Sequence, residues 1–149
     1  MSRACDLLIV DDDVAQLQLL QLLLKELGLP HHCHTVTNGA DALDFLRRRP
    51  PYESAPRPHL ILLDLNLPGK DGCEVLREIK SDPDLRMIPV IIFSQSTSGA
   101  DVSACYIAKA NAYVSKPTDL DSNIRIIEAI ERFWLQNAQL PNDLPKLPG

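Results

Sequence analysis

Long apolar runs are absent from this sequence. Runs such as Leu60–Leu63 and Val90–Phe93 fall far short of the ~20 residues a helix needs to span a bilayer. The N-terminal MSRACDLLIVDDD has too short an apolar stretch, followed by acids, to serve as a secretory signal, so cytoplasmic residence is expected. Basic charge is in short supply: 15 Lys plus Arg against 20 Asp plus Glu leave a formal net charge of −5, which argues against non-specific nucleic-acid binding. Cysteine is sparse and unpaired. Cys5, Cys33, Cys73 and Cys105 show no CxxC spacing, which suits reduced thiols better than disulfides or a structural zinc site. Internal repeats are missing too, and 149 residues suit one domain that buries most of a single core.

What is present is a regular alternation. Leu7 to Val10 reads as a short strand ending in Asp11, Asp12 and Asp13. A Leu- and Gln-rich helix runs on to Glu26, with Asp13 as N-cap and Gly28 then Pro30 as stop signals. His31 to Val36 reads as a polar, half-exposed strand. Its cluster His31, His32, Cys33 and His34 is no metal site, because strand neighbours point to opposite faces. Asn38-Gly39 turns into a second helix, and four prolines from Pro50 to Pro58 mark a loop. Leu60 to Leu63 is a buried strand that stops on Asp64. A helix follows from about Asp71 to Lys80, then a strand from Val90 to Phe93 ending on Ser94, a helix over Gly99 to Lys109, and a strand over Asn111 to Ser115. The last helix is expected from about Thr118 to Gln136, with an extended Pro-rich tail over 137–149 after a domain spanning 1–136. Five strands alternating with five helices imply parallel strands joined by right-handed crossovers, an α/β, doubly wound, flavodoxin-like sheet.

An acid such as Asp64 at a strand end either caps the next element or takes part in chemistry, and alone it decides nothing. In this topology, however, the strand ends share one rim, and that rim collects Asp11, Asp12, Asp64, Ser94 and Lys116. Like charges about 4 Å apart repel by roughly 4 kcal/mol at an effective dielectric near 20. Lys116 offsets one charge, and a divalent cation is the natural counter to the others; Mg²⁺ binds through one or two carboxylates plus waters and phosphate oxygens. Such a set suits phosphoryl transfer to a carboxylate.

The segments VDDD, LLDLNLPGKDG, the strand ending in Ser94 and YVSKP together resemble the receiver domain of two-component response regulators, over about Asp6 to Gln136. The resemblance implies that Asp64 is the phospho-acceptor from a kinase phosphohistidine. It implies that Asp12 is a direct Mg²⁺ ligand, Asp11 a ligand through water, and the backbone carbonyl of Asn66 a further contact. It makes Lys116 the partner of the phosphoryl group, before a Pro117 that follows a cis bond, and it makes Ser94 and Tyr113 the switch pair that remodels the face of the fourth helix, fifth strand and fifth helix. Gln95 departs from the small residue usual after the switch hydroxyl. It either partly covers the phosphoryl site or points to solvent.

The sequence carries no attached output domain, so a single-domain regulator acting through protein contact is expected. The loop RRRPPYESAPRPHLILLDLNLP and the ending IERFWLQNAQLP resemble the stand-alone regulators of bacterial phytochromes, implying a phytochrome-type histidine kinase as donor and a homodimer. In the last helix, Ile126, Ile127, Ala129, Ile130, Phe133 and Trp134 spread beyond one core stripe. Ile126, Phe133 and Trp134 are therefore candidates for an interface, unless the tail folds back over them. Surplus leucines on the first helix are read either as kinase-docking surface or as extra core. Three rival classes fit the sequence less well. A hydrolase resembling the haloacid dehalogenase group would need an acid where Asn66 stands. A P-loop would need glycine at Asp64 and Ser or Thr at Asp71. A receiver-fold binding module that signals without phosphorylation would not need the complete pocket seen here.

Overall fold

The computed structural model describes residues 4–141. Five parallel strands, β1 (Asp6–Val10), β2 (His32–Val36), β3 (Leu60–Leu63), β4 (Val90–Ser94) and β5 (Ala112–Ser115), form one sheet in the order β2-β1-β3-β4-β5. The intervening helices are α1 (Val14–Glu26), α2 (Gly39–Leu46), α3 (Gly72–Ser81), α4 (Gly99–Ile107) and α5 (Leu120–Ile130). This is the doubly wound α/β architecture expected from the alternation.

Local chemistry explains the element starts. Each helix opens on a side chain that accepts a backbone N–H of its first turn: Asp13 for α1, Asn38 for α2, Asp71 for α3, Ser98 for α4 and Asp119 for α5. α1 ends where Gly28 takes φ +69°, a conformation that glycine adopts without strain. β3 and β4 are buried throughout. Their residues alternate between two cores, one under α2, α3 and α4 and the other under α1 and α5. Edge strand β2 is polar and half-exposed, as expected from its sequence.

The C-terminal part differs from the expectation of one helix to Gln136. α5 stops at Ile130, and Glu131–Asn137 winds as a π-helix closed by the Ala138 N–H on the Phe133 carbonyl at 2.7 Å. Glu131 supplies the physical reason. Its carboxylate is buried, bonded to His31 Nε2 at 3.1 Å and to Gln136 Nε2 at 2.6 Å, and the wider turn brings residues 131 and 136 to one side. The chain then folds back, and Leu140 is buried in the core under α1 and α5. The rest of the expected extended tail, 142–149, lies outside the described residues. Ile126 and Trp134 are half-buried against that same core, whereas Phe133 is 52% exposed, its ring 5.2 Å from that of Trp134. On α1, Leu17, Leu20, Leu23 and Leu24 are core, and the surplus reaches solvent at Leu22.

Candidate functional site

Strand register builds the rim. Val10 pairs with Leu63, so the next residues, Asp11 and Asp64, stand side by side at the carboxyl ends of the two central strands. Ser94 pairs with Ser115, which places Lys116 one step beyond the end of β5. Backbone bonds fix these ends: the Asp11 N–H donates to Val36 O at 3.1 Å, the Asp64 N–H to Val10 O at 3.0 Å and the Lys116 N–H to Ser94 O at 2.8 Å.

The side chains converge as well. Lys116 Nζ donates to Asp11 Oδ2 at 2.6 Å and to Asp64 Oδ2 at 2.7 Å, with all three side chains almost fully buried. Carboxylate oxygens of Asp11, Asp12 and Asp64 lie within 4.8 Å of one another; Asp12 is exposed and the other two are buried. One ammonium therefore faces three acids. The backbone two residues on from each acid also helps, because Asp13 N–H donates to Asp11 Oδ1 at 2.9 Å, and Asn66 N–H does the same for Asp64 Oδ1 at 3.2 Å. Burial nevertheless pushes the Asp11 carboxyl above its ordinary range, against the pull of Lys116 and the Asp13 N–H. For Lys116, burial alone would lower the pKa, but hydrogen bonds and charges from Asp11 and Asp64 outweigh it and raise it. An oxygen-only set of clustered carboxylates with surplus negative charge is the donor chemistry of a hard divalent cation.

The remaining expected residues fall around this centre. Ser94 is completely buried at the end of β4, and its Oγ accepts the Ser96 N–H at 3.3 Å. Tyr113 lies on β5 with its hydroxyl donating to Ser96 O at 2.7 Å and its N–H donating to Tyr106 Oη at 3.2 Å. Asn66 and Gln95 are exposed at the mouth. One implied detail is corrected: the cis peptide bond among the described residues is Pro50–Pro51, so Lys116–Pro117 is not cis. The loop after β5 is tied down by Asn123 Nδ2, which donates to Pro117 O at 3.2 Å and Asp119 O at 2.8 Å.

Three contributors escaped the sequence reading. A Cβ on Gly72 would come within 2.1 Å of the Asp64 carbonyl oxygen, so the loop after β3 packs on the backbone of the acid only because that residue has no side chain. In the sequence Gly72 reads as part of the first turn of the helix expected from about Asp71, and nothing marks it as a seat for Asp64. Phe93 lies with its ring centroid 5.9 Å from Lys116 Nζ, and nothing in an apolar strand singles it out. Asn123, one turn into α5, gave no local signal of its role as a clamp.

A carboxylate trio bridged by a lysine at the carboxyl edge of a 2-1-3-4-5 parallel sheet defines a receiver of the response-regulator class, and the chain belongs to that family. The family model described as "Response regulator receiver domain" matches residues 7–130. Among relatives, the chain is 43% identical over 135 residues to response regulator Rcp1 of Synechocystis sp. (strain ATCC 27184 / PCC 6803 / Kazusa), covering 91% of this chain and 92% of that protein. Two solved structures are similar. The Mn²⁺-bound form of Rcp1 has a TM-score of 0.86 at 42% identity, covering 92% of this chain and 99% of that one. The phosphorylated cyanobacterial phytochrome response regulator RcpA has a TM-score of 0.89 at 43% identity, covering 93% and 99%. Among the described residues no helix is long and apolar enough to cross a membrane.

Proposed function

We propose that this receiver accepts a phosphoryl group on Asp64 from the phosphohistidine of a histidine kinase and turns that event into a change of protein-contact surface. The observation that carries this reading is the pair of hydrogen bonds that Lys116 donates to Asp11 and Asp64 within a cluster of three acids. In the transfer, the P–N bond to the kinase histidine breaks and a P–O bond to an Asp64 carboxylate oxygen forms. Lys116 holds the Asp64 carboxylate in place beforehand and is positioned to donate to a phosphoryl oxygen once one Asp64 oxygen carries the phosphorus as an acyl phosphate. Ser94 supplies a buried hydroxyl on the adjacent strand for another oxygen. Tyr113, anchored on Ser96 of the loop that follows Ser94, couples that loop to β5.

Mg²⁺ is the proposed ion, held by Asp11, Asp12, Asp64 and the Asn66 carbonyl; when bound it supplies charge stabilisation to the phosphoryl oxygens. The chain is proposed to catalyse only its own phosphorylation and dephosphorylation. Its similarity to response regulators named for phytochromes supports a phytochrome-type kinase as donor. Phe133, exposed beside half-buried Trp134 and Ile126, supports a homodimer through the C-terminal helices. The net charge of −5 supports protein rather than nucleic-acid partners, and a cytoplasmic location is proposed on the same sequence features given above. The domain itself is best drawn through Leu140, whose side chain completes the core.

The test is direct. The protein and its Asp64→Asn variant are incubated with a small phosphodonor, with Mg²⁺ and with chelator, and intact mass and oligomeric size are read. A metal-dependent phosphate adduct on the parent alone is expected; an equal adduct on the variant, or none on either, would overturn the assignment.

A further inference from the structure

Two cysteines meet beside the acidic rim. Cys73 is the second residue of α3 and is half-exposed; Cys105 lies in the later part of α4 and is buried. Both line one groove of about 220 Å³, together with Asn66, Asp101 and Ala104. The Cys73 thiol acts on that of Cys105 as a hydrogen-bonding neighbour. The other two thiols have no such pairing with these: Cys5 and Cys33 pack with the core on the opposite face of the sheet.

The positions give the two sulfurs unequal parts. Cys73 stands half-exposed at the start of α3, which admits a small oxidant. Cys105 is buried, with 1% of its surface exposed. We propose that Cys73 and Cys105 form an intramolecular disulfide when the protein meets a hydroperoxide, joining α3 to α4 across the groove beside Asn66. The Cys73 thiolate attacks the peroxide oxygen and breaks its O–O bond, giving a sulfenic acid and, from hydrogen peroxide, hydroxide. Cys105 sulfur then attacks the Cys73 sulfur, the S–O bond breaks, and the proton from Cys105 leaves with the hydroxyl as water. In sum, two thiols are oxidised and one peroxide is reduced to two waters. Burial holds the Cys105 thiol up to about 11, which slows the second step.

The bond would matter because α4 follows directly from the loop Ser94–Ser98, which carries the Tyr113 hydroxyl contact and the Ser98 cap. A covalent tie from α4 to α3 restrains that helix whatever the state of Asp64.

The test begins with reduced wild-type protein. It is treated with hydrogen peroxide, alkylated, digested without reductant and mapped by mass spectrometry, while amide exchange is followed over α4. The expected result is a Cys73–Cys105 peptide lighter by two hydrogens and reversed by dithiothreitol, with slower exchange in α4. A Cys73→Ser variant, changed at a half-exposed position, should form no link and keep the exchange of reduced protein. Oxidation that stops on Cys73, links that join separate chains, or α4 exchange unchanged by the bond would each overturn the inference. The Asp64→Asn variant is expected to give the same link, so failure here and failure of the phosphoryl reading can be told apart.

Discussion

Asp12→Asn is the most informative single change in the acidic cluster. Asp12 is the exposed member, its oxygens lie within 4.8 Å of those of Asp11 and Asp64, and the Lys116 ammonium is already engaged by those two. At 4.8 Å each like-charge pair repels by roughly 3.5 kcal/mol at an effective dielectric near 20, and by about 0.9 kcal/mol at that of water. Exposure puts Asp12 near the weaker limit, and Lys116 cancels part of the field, so removing its charge should stabilise the metal-free protein by about 1 kcal/mol. The amide has the shape of the acid, so little packing changes. Magnesium reverses the order. A ligand present at a hundredfold excess over its dissociation constant stabilises the parent by about 2.7 kcal/mol, and the variant, lacking a charged ligand atom, should lose most of that gain. Urea denaturation with EDTA and again with saturating Mg²⁺ measures both terms. A variant that is less stable than the parent in EDTA, or that gains equally from Mg²⁺, would refute the claim that these carboxylates are mutually repelled and metal-directed.

Further expectations follow from individual contacts. Gly72→Ala should destabilise by about 1–3 kcal/mol, measured by urea denaturation, because the new methyl meets the Asp64 carbonyl at 2.1 Å and must displace the loop. Lys80 Nζ donates to the carbonyls of Arg86 and Ile88 and to Asn111 Oδ1, so Lys80→Met should cost roughly 1–3 kcal/mol at neutral pH. Burial lowers the Lys80 pKa from 10.5 to about 8, so between these values the unfolded chain binds the extra proton and stability rises with pH; the methionine variant should lack this slope. Cys33 and Cys105, both pushed up to about 11 by burial, act in the opposite sense, which is why the comparison is made with the variant rather than read from the parent alone. Gln95→Ala should change the aspartyl-phosphate lifetime, measured by mass spectrometry after removal of donor; an unchanged lifetime would mean that the exposed Gln95 side chain simply points to solvent.

The parts of the molecule that could be read from sequence are those where one residue type has one dominant use. Buried strands such as Leu60–Leu63 are continuous apolar runs, and Asp13, Asn38 and Asp71 announce helix starts because their side chains cap. Once strand order is known, Asp11, Asp64, Ser94 and Lys116 must share an edge, so most of the candidate site was legible too. The π-helix was not, because it depends on His31 meeting Glu131 across 100 residues, a contact that no local period encodes. Nor was the burial of Leu140: a leucine among prolines and polar residues looks like tail until the gap it fills is seen. Gly72 shows a subtler limit, since a glycine in a turn and a glycine pressed on a neighbour's carbonyl are written with the same letter.

The bond from His31 to Glu131 has a further consequence. His31 precedes β2 and Cys5 precedes β1, and Cys5 Sγ also reaches the Leu135 carbonyl at 3.9 Å. The turn from Glu131 to Leu135 is thus stitched to the pole of the sheet opposite its acids, one strand length of about 17 Å away. A fluorophore attached at the exposed position Gln139 would report on this protein without crowding the place where its chemistry happens.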